Sequence, residues 1–459
     1  MRSKRANVDR LSVLPDELLA HILSSMPTKS AVRTSILSKR WRHCWTLVHS
    51  LDFLHINHHT RDSSTFSSFV DRALELCKPP QLKLFRLQIC GILVNNPHVP
   101  KWINEAVRLN VGELDINVSV HELPLSLFTC NTLTKLSLVV GGCGSHAMMN
   151  VPRGVILPCL KTLDIGLFHE PFVSVRKLIR GCPVLESFCL SIKLPRHHDN
   201  RKKYKINIPT LKRFELRTPT RTFDISKVIL NVPNLEYFIV SGFMCSRFVM
   251  EDFPCLVEAS VSFYDMEYDH LMIELLKGLS EAKSLSFSTS IIGVSLDSPL
   301  PIFPNLKHLE VKGCSFSGWS LMLEVLQRSC ELEHLCIEEP GHEFWNEPLS
   351  VPPCMISHLT TIKFVSFRRC KSDIWFLEYL LANAKVLKTL TITSNICSPE
   401  DELLWYEQLL KSPCASSCCE IQFATGLMDY ELKHRRIWKM GDLKMMAKDD
   451  GKSALYART

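Results

Sequence analysis

The sequence predicts an α/β solenoid, a curved parallel sheet with helices on its outer face, preceded by a small helical module. Three observations predict it. A six-residue pattern, apolar at its first, fourth and sixth positions, returns thirteen times; helical spacing fills the stretches between copies; and the first fifty residues break the pattern. The clearest copies start at Leu133, Leu160, Leu211, Leu306, Leu332 and Leu387, and looser ones at Leu84, Val111, Leu185, Leu235, Leu256, Ala282 and Leu359. Leu84 and Leu387 lie 303 residues and twelve intervals apart, a period of about 25 that falls in the leucine-rich-repeat range.

The first element is the helical module, from Asp9 to Trp45. Pro15 opens a helix at its first turn, with Asp16 and Glu17 near the positive end of its dipole. Leu18, Leu19, Ile22 and Leu23 form the apolar face, and Pro27 ends the helix. A second helix is expected around Ala31 to Leu37, and Ser38 is placed to cap a third that carries Trp41 and Trp45. Fewer than fifty residues make a poor independent core. The apolar face with its two tryptophans is therefore expected to be completed by a partner, or else to cap the solenoid.

Within each copy, the variable fifth position between two apolar ones is the two-residue alternation of a strand with one buried face. The return segments have helical spacing. Phe172, Val175, Leu178 and Ile179 share a face before Gly181-Cys182-Pro183 stops the helix; Leu321, Leu323, Val325 and Leu326 do so before Leu332, and Phe376, Leu377, Leu380 and Leu381 before Leu387. The third and fifth positions point out of the sheet. From them Arg86, Glu113, Asp115, Lys135, Asp164, Arg213, Glu215, Tyr237, His308, Glu310 and His334 are candidates for holding a protein. Connections widen at Gly141 to Gly144 and at Arg196 to Lys205, where insertions are further binding candidates.

Composition narrows the function. At 459 residues the chain is too long for one conventional core, a limit that a solenoid escapes by adding core unit by unit. Hydrophobic content is 46%, yet no 18 consecutive residues are apolar, and MRSKRANVDR has no apolar segment behind it, so neither a membrane-spanning nor a secreted chain is expected. Of the nineteen cysteines all but the adjacent Cys418 and Cys419 sit singly, as Cys90, Cys159, Cys189 and Cys336 do, with no CxxC pair; they read as reduced thiols of a cytoplasmic or nuclear protein. Residues 1–50 carry a net charge of +6 and residues 431–459 one of +4, leaving about −3 on the repeat body, which argues against a nucleic-acid stripe.

No catalytic residue, metal or cofactor is expected. GGCGS at 141–145 reads as a turn, and His55, His58, His59 and His197-His198-Asp199 have no partner at ligand spacing. No P-loop, HExxH or GxSxG motif occurs.

The N-terminal module resembles an F-box in its Leu14-Pro15, its Pro27 break and its SKRWR run at Ser38 to Arg42. With the repeats and the C-terminal part, the chain resembles the plant F-box/FBD/LRR family over about 415 residues. The FBD-like part opens with Trp345, Val351-Pro352-Pro353-Cys354 and Leu359, continues through Glu378-Tyr379-Leu380-Leu381 and Asn383-Ala384, and closes with Pro413-Cys414-Ala415-Ser416 and Cys419 to Phe423. It departs from the family at Arg369-Cys370-Lys371-Ser372 and at Cys414, which stands where an arginine is usual. The resulting order is an N-terminus at 1–7, an F-box at 8–50, repeats at 51–344, an FBD-like end continuing the repeats at 345–424, and a basic tail at 425–459. In the tail Leu432, Ile437 or Trp438, Met440 and Leu443 have loosely helical spacing.

The resemblance implies a non-catalytic substrate-recognition subunit of an SCF-type ubiquitin ligase. The F-box would dock a Skp-type adaptor and through it a cullin, and the repeats would hold an unidentified protein. By the same resemblance, Leu14, Pro15, Leu18, Ile22, Leu23, Val32, Leu37 and Trp41 are the adaptor-contact candidates. The alternative is a non-enzymatic repeat scaffold that does not engage the adaptor.

Overall fold

The computed structural model describes residues 11, 13–56, 63–90, 97–118, 123–140, 150–168, 172–193, 203–219, 226–243, 246–250, 253–264, 269–288, 299–313, 316–338, 348, 350–366, 371–394, 412–425 and 435–439. Gly141 to Gly144, His58, His59 and His197 to Asp199 lie outside them. The chain divides into two compact units, residues 1–198 with 208–220 and residues 199–207 with 221–459.

The first unit opens with three short helices, α1 (Asp16–Ser24), α2 (Thr28–Arg33) and α3 (Trp41–Cys44). Pro15 and Pro27 occupy the N-cap positions of α1 and α2, where a missing N–H costs nothing. α2 is displaced from the expected Ala31 to Leu37. The Thr34 hydroxyl donates to the Ala31 carbonyl at 2.7 Å, and the chain tightens into a 3-10 turn over Thr34–Ile36. Ser38 does not cap α3, whose N-cap is Arg40 and has no side-chain cap bond.

The sheet of this unit follows. Its strands are β1 (Ser50–Ile56), β2 (Leu84–Cys90), β3 (Glu113–Val118), β4 (Lys135–Val140), β5 (Thr162–Phe168) and β6 (Ser187–Lys193). After β7 (Lys203–Asn207), which belongs to the second unit, comes β8 (Arg213–Thr218). All seven pair in parallel and in phase. The fourth repeat positions therefore form one row, Leu51, Phe85, Leu114, Leu136, Leu163, Phe188 and Phe214, none more than 1% exposed. Burying each such side chain stabilises by about 1.5–3 kcal/mol.

The register corrects the phase of one copy. Leu84 stands opposite Glu113, so the second repeat starts at the buried Leu82 and not at Leu84. Consequently Arg86 lies level with Asp115. β1 adds an earlier copy, starting at the buried Val48, ahead of the thirteen.

Helices α4 (Ser63–Leu76), α5 (Val99–Arg108) and α6 (Phe172–Arg180) fill three of the connections. The fully buried Trp102 of α5 donates through Nε1 to Asp71 of α4 at 2.8 Å. Gly181 ends α6 where the chain meets the 155–157 segment: a Cβ there would lie 2.5 Å from the Val155 carbonyl oxygen.

In the second unit two sheets form. β9 (Ser226–Asn231), β10 (Tyr237–Gly242), β11 (Ser246–Met250), β12 (Glu258–Phe263), β13 (Ser284–Ser288), β14 (His308–Lys312), β15 (His334–Glu338), β16 (Thr361–Val365), β17 (Thr389–Ser394) and β18 (Glu420–Thr425) follow the chain. The run from β10 through β12 to β18 is parallel, with Phe238, Ala259, Leu285, Leu309, Leu335, Ile362, Leu390 and Ile421 in its buried row. Helices α7 (Asp269–Lys277), α8 (Phe316–Gln327), α9 (Pro353–Ser357) and α10 (Lys371–Asn383) lie in the connections, and Phe376 of α10 contacts both Trp319 of α8 and Phe364 of β16.

Two departures from the sequence reading stand out here. β7, β9 and β11 pair as a separate three-stranded parallel sheet, so these connections carry strands where helices were expected. Their two-residue alternation explains it, since Tyr204, Ile206, Val228, Leu230 and Phe248 are buried. In the tail, β19 (Arg435–Lys439) is a strand antiparallel to β18 and not part of a helix.

The three N-terminal helices also close an edge. The outward-facing amide of Asp52 on β1 donates to Thr28 Oγ1 at 2.8 Å, and the His49 amide donates to Ser24 Oγ at 2.9 Å. Replacing Thr28 by Val is expected to leave that Asp52 donor without its acceptor, at about 1–3 kcal/mol. Hydrogen exchange at Asp52 should accelerate, and unchanged protection would show that α2 does not guard this edge. Gly181→Ala is expected to displace the 155–157 segment at about 1–3 kcal/mol in urea unfolding; wild-type stability would contradict the close approach.

Candidate functional site

The module's apolar residues fall into two groups. Leu19, Ala20, Leu23, Ala31, Trp41 and Cys44 are buried and hold the three helices together. Leu11, Val13, Leu18, Ile22, Ile36, Leu37 and Leu47 are exposed, from 40% at Ile22 to 86% at Ile36. The eight adaptor-contact candidates divide accordingly: Pro15, Leu18, Ile22 and Leu37 are exposed, Leu14 and Val32 half-buried, and Leu23 and Trp41 buried. Leu18 and Ile22 lie one turn apart on the same side of α1. Leu11, Val13, Ile36 and Leu47 were not singled out from the sequence. Their signal was weak because each sits outside a regular helix, where no period marks a face.

One polar strut braces the module. Arg40 reaches back to Asp16 with its Nε 2.9 Å and its Nη2 2.6 Å from Oδ1, and its Nη2 also donates to the Leu14 carbonyl. Both side chains are over a third exposed, so the pair is worth at most about 1 kcal/mol. Its geometric effect is to tie the Leu14-Pro15 turn to the start of α3.

On the sheet of the first unit, the fifth repeat positions form one row: Asp52, Arg86, Asp115, Ser137, Asp164, Cys189 and Glu215. Arg86 stands between two carboxylates, with Nε 2.9 Å from Asp115 and Nη1 3.3 Å from Asp52, and these bonds raise its pKa further. Glu113 and Lys135 approach to 3.8 Å in the next row, which also holds Arg213, and Arg217 pairs with Glu215 at 2.6 Å. Asp164 differs. Burial pushes its pKa up, Glu215 and Asp115 push the same way, and the Cys189 thiol and Arg217 oppose them.

In the second unit Tyr237 is half-buried on β10. His308 and His334 are level on neighbouring strands, and their rings stack with centroids 4.5 Å apart and planes 8° from parallel. Burial lowers the His308 pKa, and His334 adds to the fall. Glu310 accepts from Ser286 Oγ at 2.8 Å, and Lys312 lies 3.4 Å from Glu310 and 3.5 Å from Glu338. The two sheet faces thus present charges that pair both along and across strands.

This chemistry suits contact more than bond-making. Cys189 and Cys336 face out of the sheet with pKa values raised, chiefly by burial, to about 12 and about 11, which keeps the thiols protonated and poorly nucleophilic. Among the described residues no group of His, Cys, Asp and Glu could hold a metal ion, and no helix is long and apolar enough to cross a membrane.

Three family models match along the chain. The F-box domain model matches residues 11–53, the model for the leucine-rich repeats of FBD-associated F-box protein At5g56370 matches 99–250, and the FBD model matches 347–392. The chain is 32% identical over 435 residues to FBD-associated F-box protein At4g10400 of Arabidopsis thaliana, covering 91% of this chain and 100% of that one. It is 29% identical over 441 residues to F-box/FBD/LRR-repeat protein At4g26340 of the same plant, covering 91% and 100%. A helical module with a split apolar surface, in-phase repeats and an FBD end thus come together in one order, and the chain belongs to the F-box/FBD/LRR-repeat family.

Proposed function

We propose that the chain is the substrate-recognition subunit of an SCF-type ubiquitin ligase. The observation that carries this reading is the split of the N-terminal module, where seven large apolar side chains stay exposed although the helices already have a core. An exposed apolar set of this kind marks a protein-docking surface, and the family membership points to a Skp-type adaptor and through it a cullin. The sheet faces, with Arg86, Asp164, His308 and His334, hold a protein substrate. The receptor acts by proximity: it raises the local concentration of a substrate lysine beside a conjugating enzyme carried by other subunits. No residue of this chain breaks a bond, no nucleic acid or membrane takes part, and thiols without a CxxC pair suit the cytoplasm or nucleus.

A second reading has its own observation. Ser24 and Thr28 cap the β1 edge, so the same helices could serve only as the cap of a scaffold. Capture of a purified Skp-type adaptor by the intact chain separates the two. Leu18→Asp, Ile22→Asp and Leu37→Asp are each expected to weaken capture roughly tenfold to a hundredfold while the chain stays folded, and alanine at both Leu14 and Pro15 should abolish it. Leu23→Ala should act differently, by costing about 2–5 kcal/mol of stability. Failure of the folded wild-type chain to capture adaptor would favour the scaffold.

A further inference from the structure

The row across the first unit's sheet contains one frame twice. In its first half Asp52, Arg86 and Asp115 are level on β1, β2 and β3, and the Arg86 guanidinium bridges the two carboxylates at 3.3 and 2.9 Å. In its second half Asp115, Ser137 and Asp164 are level on β3, β4 and β5. The two aspartates are again two strand spacings apart, roughly 9.5 Å, but the middle residue is a serine.

The space that an arginine would occupy is open. A depression of about 150 Å³ opens among Asp115, Ser137 and Asp164 and extends past Arg86 and Lys135 to Glu113 and Leu84. At about 30 Å³ per water it has the volume of roughly five heavy atoms, enough for a guanidinium and the carbon that carries it. The neighbouring cations are engaged elsewhere: Arg86 with Asp52 and Asp115, Lys135 with Glu113, and Arg217 with Glu215. Among the described residues Asp164 is the one carboxylate of this row without an ion pair.

We propose that the place above Ser137 takes an arginine side chain of the bound protein, its guanidinium bridging Asp115 and Asp164 as Arg86 bridges Asp52 and Asp115. Arginine fits better than lysine because a planar fork offers donors on two sides, whereas an ammonium is a single compact charge. The occupant is thus a segment that presents an arginine to the sheet. The inference rests on the reading of the sheet face as the surface that holds the target, and it is independent of adaptor capture.

The test uses the intact chain and two peptides, Gly-Ser-Arg-Ser-Gly and its twin with citrulline, which keeps the shape of arginine without its charge. Ligand-observed NMR titration reads both affinities. The arginine peptide is expected to bind roughly tenfold or more tightly than its twin. Asp164→Asn should erase that difference with the fold intact, Ser137→Arg should do so by filling the place from within, and Glu274→Gln on helix α7 should leave it unchanged. Equal binding of the two peptides to the wild type, or an undiminished difference in Asp164→Asn, would overturn the proposal. Adaptor capture scored on the same samples reports on the receptor reading alone, so the two failures are distinguishable.

Discussion

In a parallel ladder the outward backbone groups of each strand are satisfied by the next repeat, so no repeat is complete alone and the first strand needs a neighbour that is not a strand. Here that neighbour is the N-terminal module, whose Thr28 and Ser24 hydroxyls accept from the Asp52 and His49 amides. The demand fixes how the three helices lie. Their buried side, with Leu19, Leu23, Ala31 and Trp41, supplies a small core. Leu18, Ile22, Ile36 and Leu37 stay exposed outside that core. The capped edge and the exposed apolar side are therefore two consequences of one placement.

The same ladder organises the outward faces. Because the register is in phase, residues that share a repeat position but stand 21 to 34 apart in sequence become lateral neighbours, and charges pair across strands. Arg86 between Asp52 and Asp115 is the clearest case, and Lys312 reaches Glu338 on the next strand as well as Glu310 on its own. Pairs of this sort, all partly exposed, contribute little stability each. Their effect is to leave a nearly neutral surface on which a vacancy such as that above Ser137 becomes specific.

Much of this was legible in the residues. All thirteen copies of the six-residue pattern are strands, because apolar positions two apart over a variable residue have few other ways to bury. The misplaced phase at Leu84 arose because Leu82 and Leu84 both fit the anchor, and only pairing with Glu113 decides between them. β1 escaped notice beside the tryptophans of the module, and β7, β9 and β11 because five or six alternating residues inside a long connection carry little weight. The module's core could not be separated from its exposed side, since Leu18, Leu19, Ile22 and Leu23 form one broad apolar face in sequence; burial alone divides it. Nor could the Ser137 vacancy be read, since it depends on three strands standing level.

The central claim is that one helical module guards the β1 edge with one side and docks an adaptor with the other. Hydrogen exchange on the intact chain, with and without a purified Skp-type adaptor, tests it directly. The account predicts new protection over residues 11–22 and 34–40, while the Asp52 amide, already bonded to Thr28, stays protected and unchanged. Adaptor binding that opened the Asp52 amide, or that left residues 11–22 and 34–40 unprotected, would contradict it.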